Sequence, residues 1–444
     1  MNAETIPMKT GAELALAEAF TATKARLPGD GAVAALREAA FRDFNTRGLP
    51  SRRVEQWHYT DLRALLRDAK PLAAEPDAAA KARASEAGRL IGDIDVRRVV
   101  FVDGVFVPEL SDLAGLSAGL TIRSMAQALT AGDPLVAKHL GKVVPPEAEG
   151  VLALNTALMR DGALIHVAKD ATVERPIHLV FAATGQKPAS VFTRSLIVVD
   201  RGARIMLLES HDAAAARQVN TALELVVGDN AHVDHVKITA GPDDLIHVSS
   251  AMIAIGAQAR LNDFAFNIGG GVVRNQTFVR FDGAGTLASL RGATLLKGKQ
   301  HVDSTLVVDH KVGGCQSREV FASVLDDQSR SVFQGKIVVR PHAQQTDARM
   351  MTRALLLSDE AEADNKPELE IFADDVQCGH GATAGALNED LKFYLMARGI
   401  PKAEAEALLV QAFVGEAVEG IEHAGLRDAL MGQVAGWLTL RGGR

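Results

Sequence analysis

The chain has little cysteine, few aromatic residues and no excess of basic charge. Its 444 residues include two cysteines and 5% aromatic residues, and its net charge is −7. Two thiols cannot form a disulfide framework, and this usage fits a reducing compartment such as the cytoplasm. They are also too few for one chain to hold a four-thiolate cluster. Because no dense basic patch is present, nucleic acid is not an expected partner.

Long apolar runs and nucleotide-binding motifs are missing as well. No stretch is long and apolar enough to cross a bilayer, and the first twenty residues carry acids where a signal peptide has a basic segment. We therefore expect a cytoplasmic protein without a transmembrane segment. The nearest approach to a phosphate-binding loop, residues 292–299, has Lys297 in place of the second glycine. Any ATP that the function needs should be bound by another chain.

From about residue 151 the sequence consists of short β-rich runs separated by turns. Glycines at positions 228, 256 and 283 are 28 and 27 residues apart. A period of this length indicates a solenoid, and strands without intervening helices indicate a right-handed parallel β-helix over residues 151–385. Its coils bury their inward faces only against one another, so the ends need caps. A β-sandwich also uses short strands, but the single long period argues against it.

Helical segments flank the predicted solenoid and are placed to cap it. Residues 1–150 form a mostly helical region with a β-hairpin near 99–107, where two apolar runs surround Asp103 and Gly104. Pro145 and Pro146 mark the end of this region. Residues 386–444 form a C-terminal helical domain. One apolar stripe of that domain comprises Ala405, Leu408, Leu409, Ala412 and Phe413.

The stretch with the strongest candidate metal ligands holds Cys378 and His380, separated by one glycine. The apolar run at 369–373 is typical of a strand, and a Gly/Ala/Thr turn follows the pair. Asn388 is a suitable N-cap for a helix that should stop at Gly399. If the strand continues through the pair, the thiol and the imidazole share a face and are available to zinc, copper or iron. Two ligands do not complete a closed metal site. From chemistry alone, the alternative is that both residues only fill space in the core.

Other potential ligands give weaker signals. His232 and His235 are three apart on a predicted strand, so they should point to opposite faces and not chelate one ion. Asp374 and Asp375 are neighbours, so on a strand their side chains would point in opposite directions and not act as a pair. We expect them to order the turn before the Cys/His pair. Cys315 is either a buried small residue or a partly exposed thiol.

Three stretches resemble the SufB/SufD family, whose members are scaffold subunits of the Suf iron–sulfur cluster assembly machinery. The first is DDVQCGHGAT with LKFYLMARGI and PKAEAEALL after it, and the second begins VLALNTALMRDGALIHV. The third, GLPSRRVEQWHYTDL at residues 48–62, is typical of SufD rather than SufB. The sequence His-Gly-Ala-Thr at 380–383 also resembles the SufD type, since the SufB type has an acidic residue in place of Gly381. The family's known β-helix core agrees with the period of the turns.

The resemblance implies a non-catalytic scaffold in a complex with a SufB-like paralogue and a SufC-like ATPase. It implies a transient iron–sulfur cluster where the two paralogous chains meet, with His380 as the matching SufD residue and Cys378 as a weaker candidate. The family places ATPase binding in the C-terminal domain, which makes Leu408, Leu409 and Phe413 candidates for docking. Reduced flavin on the complex and a homodimer of the isolated chain are open possibilities.

Two other functions are compatible with a β-solenoid. An enzyme acting on polysaccharide would place carboxylates in a groove, but sugar-binding grooves are usually lined with aromatic residues, which are scarce here. The second is a purely structural interaction protein without metal chemistry. Iron and sulfide reconstitution separates this alternative from the scaffold.

Overall fold

The computed structural model describes residues 8–144, 149–214 and 216–442. Its α-helices are α1 (Gly11–Thr23), α2 (Gly31–Arg47), α3 (Leu62–Leu65), α4 (Ala78–Ala84), α5 (Met125–Ala131), α6 (Pro134–His139), α7 (Gly150–Leu158), α8 (Glu389–Met396), α9 (Lys402–Val418) and α10 (Ala424–Gly442). Its strands are β1 (Arg97–Val102), β2 (Val105–Phe106), β3 (Leu120–Ser124), β4 (Ala163–Val167), β5 (Ile177–Ala183), β6 (Ala189–Val199), β7 (Arg204–Ala213), β8 (Arg217–Val227), β9 (His232–Gly241), β10 (Ile246–Ile255), β11 (Arg260–Gly269), β12 (Val272–Phe281), β13 (Leu287–Leu296), β14 (His301–His310), β15 (Gln316–Leu325), β16 (Arg330–Val339), β17 (Asp347–Leu356), β18 (Glu362–Ile371) and β19 (Gln377–Gly385).

The strands belong to two sheets that the chain visits in alternation. Sheet I has ten strands in the order β19-β17-β15-β13-β11-β9-β7-β5-β1-β2, and sheet II has nine in the order β18-β16-β14-β12-β10-β8-β6-β4-β3. From β4 onward neighbouring strands run parallel, so each coil adds one strand to each sheet. Arg260 pairs with His232 in the coil before it and with Leu287 in the coil after it. The predicted fold class is confirmed as a parallel β-solenoid of about eight turns with helical terminal segments.

The glycine period has a steric cause. The turns of successive coils stack so closely that a Cβ at Gly228 would lie 2.7 Å from the backbone nitrogen of Arg201, and one at Gly256 would lie 2.8 Å from that of Asp229. Two residues after Gly228, Asn230 has a φ of 56°, a left-handed conformation that Asn adopts more readily than most residues. Stacking of the turns therefore requires a glycine once in each of these coils.

Both faces of each sheet are packed, because successive strand residues point in opposite directions. The inward faces carry an aliphatic core to which Val233 and Ile253 belong. On the outward face of sheet I, Val236 and Phe264 form a second core with buried residues of α9 and α10. On the outward face of sheet II, Phe192 packs with residues of α1, α2 and α7. The solenoid is thus a two-sheet core with helices on its flanks.

The terminal helices cover the flanks of the solenoid and not its ends, so the expectation that they form end caps is wrong. The outward strand residues are themselves apolar and offer the helices more surface to bury than the end of a coil does. At one end, the short antiparallel strands β2 and β3 form the edges of the sheets. At the other end the edges are β18 and β19, whose residues are all partly or fully exposed. We call this second end, residues 362–385, the open end.

The hairpin predicted near 99–107 is confirmed. Strands β1 and β2 pair antiparallel, and Asp103 and Gly104 between them have φ of 48° and 80°. Strand β1 also pairs in parallel with β5, so the hairpin extends sheet I and does not form a separate unit. Pro145 and Pro146, expected to mark a boundary, lie outside the described residues. The three domain ranges stay a prediction.

The segment at 48–62 is anchored on the outward face of sheet II. Trp57 is buried, and the guanidinium of Arg274 lies 3.9 Å from the centre of its ring. Arg274 is itself fully buried and forms an ion pair with Asp303, whose carboxylate also accepts a hydrogen bond of 2.6 Å from the Thr60 hydroxyl. Because a buried charge is stable only with such partners, this network fixes the segment to the solenoid.

Candidate functional site

Cys378 and His380 lie on β19, the edge strand of sheet I at the open end. The run at 369–373 belongs in part to β18, which ends at Ile371, and the chain turns before β19 begins at Gln377. The strand before the pair therefore does not continue through it, although continuation is the condition under which the sequence places both side chains on one face. The Gly/Ala/Thr residues after the pair, predicted as a turn, continue β19 as far as Gly385, because they pair with β17.

The pair nevertheless shares one face, as predicted. Cys378 is in register with Ala348 and His380 with Met350, two buried residues that belong to the inward core. Cys378 is half-buried and packs on that core, whereas His380 is exposed. Both side chains therefore occupy inward-facing positions of the last coil, over which no further coil of this chain lies. The imidazole nitrogens of His380 make no hydrogen bond to any residue that the structure describes.

The turn before the pair is held to the preceding coil by backbone groups. The N–H of Asp375 donates to Oε1 of Gln344 at 2.9 Å, and the N–H of Gln345 donates to the carbonyl of Asp375 at 2.6 Å. Asp375 thus fixes the turn, as expected, through its main chain.

Burial raises the pKa of the Cys378 thiol. A hydrogen bond from the backbone of Ala348 offsets part of this effect, and the carboxyl groups of Asp347 and Glu319 add to it. The thiol is therefore protonated at neutral pH until a metal ion displaces the proton.

A buried carboxyl group lies beneath the pair in the same column of inward positions. Glu319 on β15 is in register with Met350 on β17, which in turn is in register with His380. Glu319 is fully buried, and neither of its carboxyl oxygens has a hydrogen-bond partner of normal geometry. Burial raises its pKa to about 8, against a smaller opposing effect of the Ser317 hydroxyl. This side chain is consequently a neutral acid at pH 7.

His232 and His235 point to opposite faces, as predicted. His235 is inward and buried, with Nε2 3.0 Å from Oε2 of Glu209 and Nδ1 2.6 Å from Oδ1 of Asp263. Burial alone would lower its pKa, but the two carboxylates raise it to about 9. Cys315 is fully buried, with Sγ 3.4 Å from the carbonyl oxygen of Gly283, which decides between the two alternatives for this thiol.

The candidate docking residues on α9 differ in exposure. Leu408 is 42% exposed, whereas Leu409 and Phe413 are half-buried. The face that packs on sheet I is formed by Val410, Val414, Ala417 and Val418. The predicted stripe is therefore rotated relative to the packed face, because both faces of this helix are rich in apolar residues.

Sequence reasoning did not single out the exposed apolar residues of α8. Phe393 is 72% exposed and Tyr394 52%, and Leu391 and Met396 are exposed as well. The signal was the apolar run LKFYLM, which has more apolar residues than one buried face of a short helix needs. The helix itself is as predicted, since the Asn388 side chain accepts a hydrogen bond from the N–H of Leu391 at 3.0 Å and Gly399 has a φ of 85°.

Comparison with known proteins now identifies the family. Residues 181–413 match the family model of the SUF system FeS cluster assembly SufBD core domain, and residues 18–179 match that of the SufBD protein N-terminal region. The chain belongs to the SufBD family. Members of this family take part in iron–sulfur cluster assembly.

Curated relatives of the SufBD family agree along most of the chain. An iron–sulfur cluster assembly SufBD family protein of Synechocystis is 31% identical, over 89% of this chain and 88% of its own length. The iron–sulfur cluster assembly protein SufD of Escherichia coli is 28% identical, over 87% of this chain and 89% of its own. SufD of Bacillus subtilis is 24% identical, over 85% and 87%. Two of these relatives are named SufD.

One further finding bears on partners and location. Among the helices of the described residues, none is long and apolar enough to cross a membrane. The cytoplasmic location and the site residues stay predictions.

Proposed function

We propose that this chain is a scaffold subunit that forms one half of an iron–sulfur cluster assembly site at its open end. The observation that carries the proposal is the position of His380 and Cys378. Both occupy inward positions of the last coil, so a second solenoid stacked on β18 and β19 would meet them directly. The cluster is the cargo of this site and is shared with the partner.

The edges of the open end suit a partner with the same fold. Strands β18 and β19 are the last strands of their sheets, so one side of each has main-chain groups without a strand to pair with. Such edges add strands from a second protein. A SufB-like paralogue would have sheets of matching spacing, and its apolar coil end would cover the inward core residues left exposed here. Homodimers of the isolated chain would use the same edges.

The donor set is incomplete in one chain and fits a shared site. A neutral imidazole and a thiolate both ligate iron, and a histidine in place of a cysteine changes cluster potential. The imidazole of His380 is exposed and has no hydrogen-bond partner among the described residues, so it is ready to bind. The thiol of Cys378 is half-buried and so less accessible to a shared cluster, and we assign it the auxiliary role. The remaining ligands come from the partner chain.

The chain itself hydrolyses no nucleotide in this proposal. A SufC-like ATPase docks on the exposed apolar residues of α8 and α9, which include Phe393, Tyr394 and Leu408. ATP hydrolysis then acts on the scaffold through the C-terminal helices, which pack on sheet I. The expected location of the complex is the cytoplasm.

Co-expression with the partner genes of its own operon tests the proposal. We expect co-purification with the paralogue and the ATPase, together with iron and sulfide after anaerobic reconstitution. The same chain expressed alone should retain no stoichiometric iron or sulfide, because it has too few thiols. A complex that assembles but never holds iron and sulfide supports the purely structural solenoid instead. Flavin is measured in the same sample.

A further inference from the structure

A group of potential metal ligands lies on the outward face of sheet I, where the C-terminal helices meet the solenoid. His232 and Asp234 are neighbours on this face of β9, and Glu422 lies in the connection between α9 and α10. One ligand atom from each of the three residues lies within 4.8 Å of the others. His232 Nε2 and Asp234 Oδ2 are 3.5 Å apart. The residues come together only through the fold, since Glu422 follows the other two at a distance of almost two hundred positions.

The imidazole of His232 has an unused donor atom. Its Nε2 is buried and makes no hydrogen bond of normal geometry to the residues that the structure describes. A buried polar atom without a partner is costly, so its position needs an explanation. An ion between the imidazole and the two carboxylates would provide the missing partner.

The carboxylates are held in place and keep one oxygen each for a ligand. The amide nitrogen of Asn262 donates to Asp234 Oδ1 at 2.7 Å and to Glu422 Oε1 at 3.3 Å. The guanidinium of Arg260 also forms an ion pair with Glu422 Oε1, at 2.8 Å. Within the described part of the chain, Glu422 Oε2 accepts no hydrogen bond, and Asp234 Oδ2 faces only the Nε2 of His232 at 3.5 Å. With a neutral imidazole the two carboxylates carry a charge of −2, which the guanidinium of Arg260, and that of Arg291 at the edge of the same cleft, offset.

There is room beside the group for water ligands. A cleft of about 280 Å³ is bounded by Asp234, Asn262, Glu422 and His423. Metal–ligand bonds near 2.0–2.2 Å require the three ligand atoms to close by roughly 1 Å. The half-exposed side chain of Glu422 can make this movement. Water molecules in the cleft would then complete a four- to six-coordinate shell.

We propose that His232, Asp234 and Glu422 bind one divalent transition-metal ion that joins the C-terminal helices to the solenoid. A mixed nitrogen and carboxylate set suits Zn²⁺, Fe²⁺ or Mn²⁺, whereas Mg²⁺ and Ca²⁺ prefer oxygen alone. The site is distinct from the open end, because β9 lies five strands from β19 in sheet I. Binding would stabilise the attachment of the helices, and hence the surface that we assign to the ATPase.

The test uses the full chain after substitution of the two candidate ligands at the open end. The variant Cys378→Ser/His380→Ala, freed of any affinity tag and treated with chelator, is the parent protein, so that metal bound at the open end does not contribute. Calorimetric titration with Zn²⁺, with Co²⁺ absorption as a spectroscopic check, should show one equivalent bound and a raised melting temperature. His232→Ala and Glu422→Gln on this parent should each weaken binding at least tenfold and remove the thermal shift. His58→Ala, an exposed histidine elsewhere, should leave both unchanged.

Two results overturn the proposal. One is a parent protein that binds no equivalent of Zn²⁺ or Co²⁺, in which case His232 and Asp234 form only an ion pair. The other is one bound equivalent that survives both His232→Ala and Glu422→Gln with unchanged affinity. Circular dichroism of each variant confirms that the solenoid remains folded, and hence that lost binding reports lost ligands.

Discussion

At the scale of single residues, the inward face of the solenoid carries ionisable groups whose protonation is set by burial and by neighbouring charges. Glu319 holds its proton at neutral pH because water cannot solvate its charged form. His235 also holds its proton, but here the cause is charge: the carboxylates of Glu209 and Asp263 contact its ring and stabilise the cation. The hydrophobic pattern of a β-solenoid therefore coexists with a few charges that the fold has to compensate.

Substitution of Glu319 by Gln should stabilise the chain at high pH and not at low pH. The folded-state pKa of about 8 lies above the ordinary glutamate value of 4.5, so the folded state binds the extra proton and stability falls as pH rises between these values. Since one pKa unit corresponds to about 1.4 kcal/mol, the variant should gain up to about 4 kcal/mol in unfolding free energy at pH 8. Urea unfolding at pH 5 and pH 8 measures the difference.

The matched control is Glu362→Gln, which changes an exposed glutamate on β18. It should leave the pH dependence of unfolding almost as in the parent. A gain from Glu319→Gln that is equal at pH 5 and pH 8 would show that the buried carboxyl group is ionised in both conditions, contrary to our account.

At the scale of elements, the sequence predicts the repeat of the coils better than it predicts which face of a helix is buried. The solenoid was predictable because stacked turns demand a small residue at Gly228 and Gly256, and this demand repeats once per coil. The hairpin at Asp103 and the N-cap at Asn388 were predictable because local backbone geometry selects those residue types. Such residue preferences depend on the local backbone, so they can be recognised in a single sequence.

The placement of the helices was not predictable in the same way. An apolar stripe on α9 shows that the helix packs on something, but Leu408 and Val410 are equally apolar, and only the second is buried. The choice depends on the outward residues of six strands of sheet I, from β7 to β17. For the same reason, Glu422 could not be linked to His232 before the fold was known.

Replacing Gly228 by Ala should destabilise the solenoid. The added methyl group would meet backbone atoms of residues 199–201 at 2.7 to 2.9 Å, and the backbone of a stacked turn cannot move away. We expect a loss of at least about 1–3 kcal/mol, seen as a lower melting temperature. Gly432→Ala on the exposed face of α10 is the control, because its methyl group meets nothing within 4 Å. It should be neutral or stabilising by up to about 1 kcal/mol.

Acidic substitutions on the exposed apolar residues of α8 and α9 should abolish binding of the ATPase. Phe393→Asp and Leu408→Asp place a charge in an interface that we expect to be apolar, and neither side chain is needed to pack the helices on sheet I. Pull-down with the SufC-like subunit measures binding, and the melting temperature shows that the fold is intact. Ala403→Asp, exposed at the first turn of α9, should bind normally. Unchanged binding by both apolar-to-acid variants would contradict this docking surface.

At the scale of the whole molecule, the solenoid is asymmetric. One end finishes in short antiparallel strands, and the other leaves two parallel edges and part of its inward core uncovered. A chain built in this way is completed by a partner, which explains why the candidate ligands at 378 and 380 form only part of a site.

A proline at Ala382 should weaken pairing with the paralogue without unfolding the chain. Gln377 donates its N–H to Thr346 beside β17, so residues that alternate with it along β19, including Ala382, direct their N–H to the open side. Proline removes that donor. Size-exclusion chromatography of the co-expressed subunits should show less complex for Ala382→Pro than for Ala382→Ser, with equal melting temperatures of the isolated chains. Equal amounts of complex would argue that pairing does not use this edge.

The most direct test of the central claim is cluster formation by the complete complex carrying His380→Ala. Iron and sulfide per complex are measured after anaerobic reconstitution, with subunit stoichiometry determined in the same sample. His342→Ala, an exposed histidine in a turn near the open end, is the control and should behave as the parent. We predict that His380→Ala assembles fully but loses the cluster, and that Cys378→Ser loses less. A normal cluster yield in the His380→Ala complex would contradict the proposed ligand role.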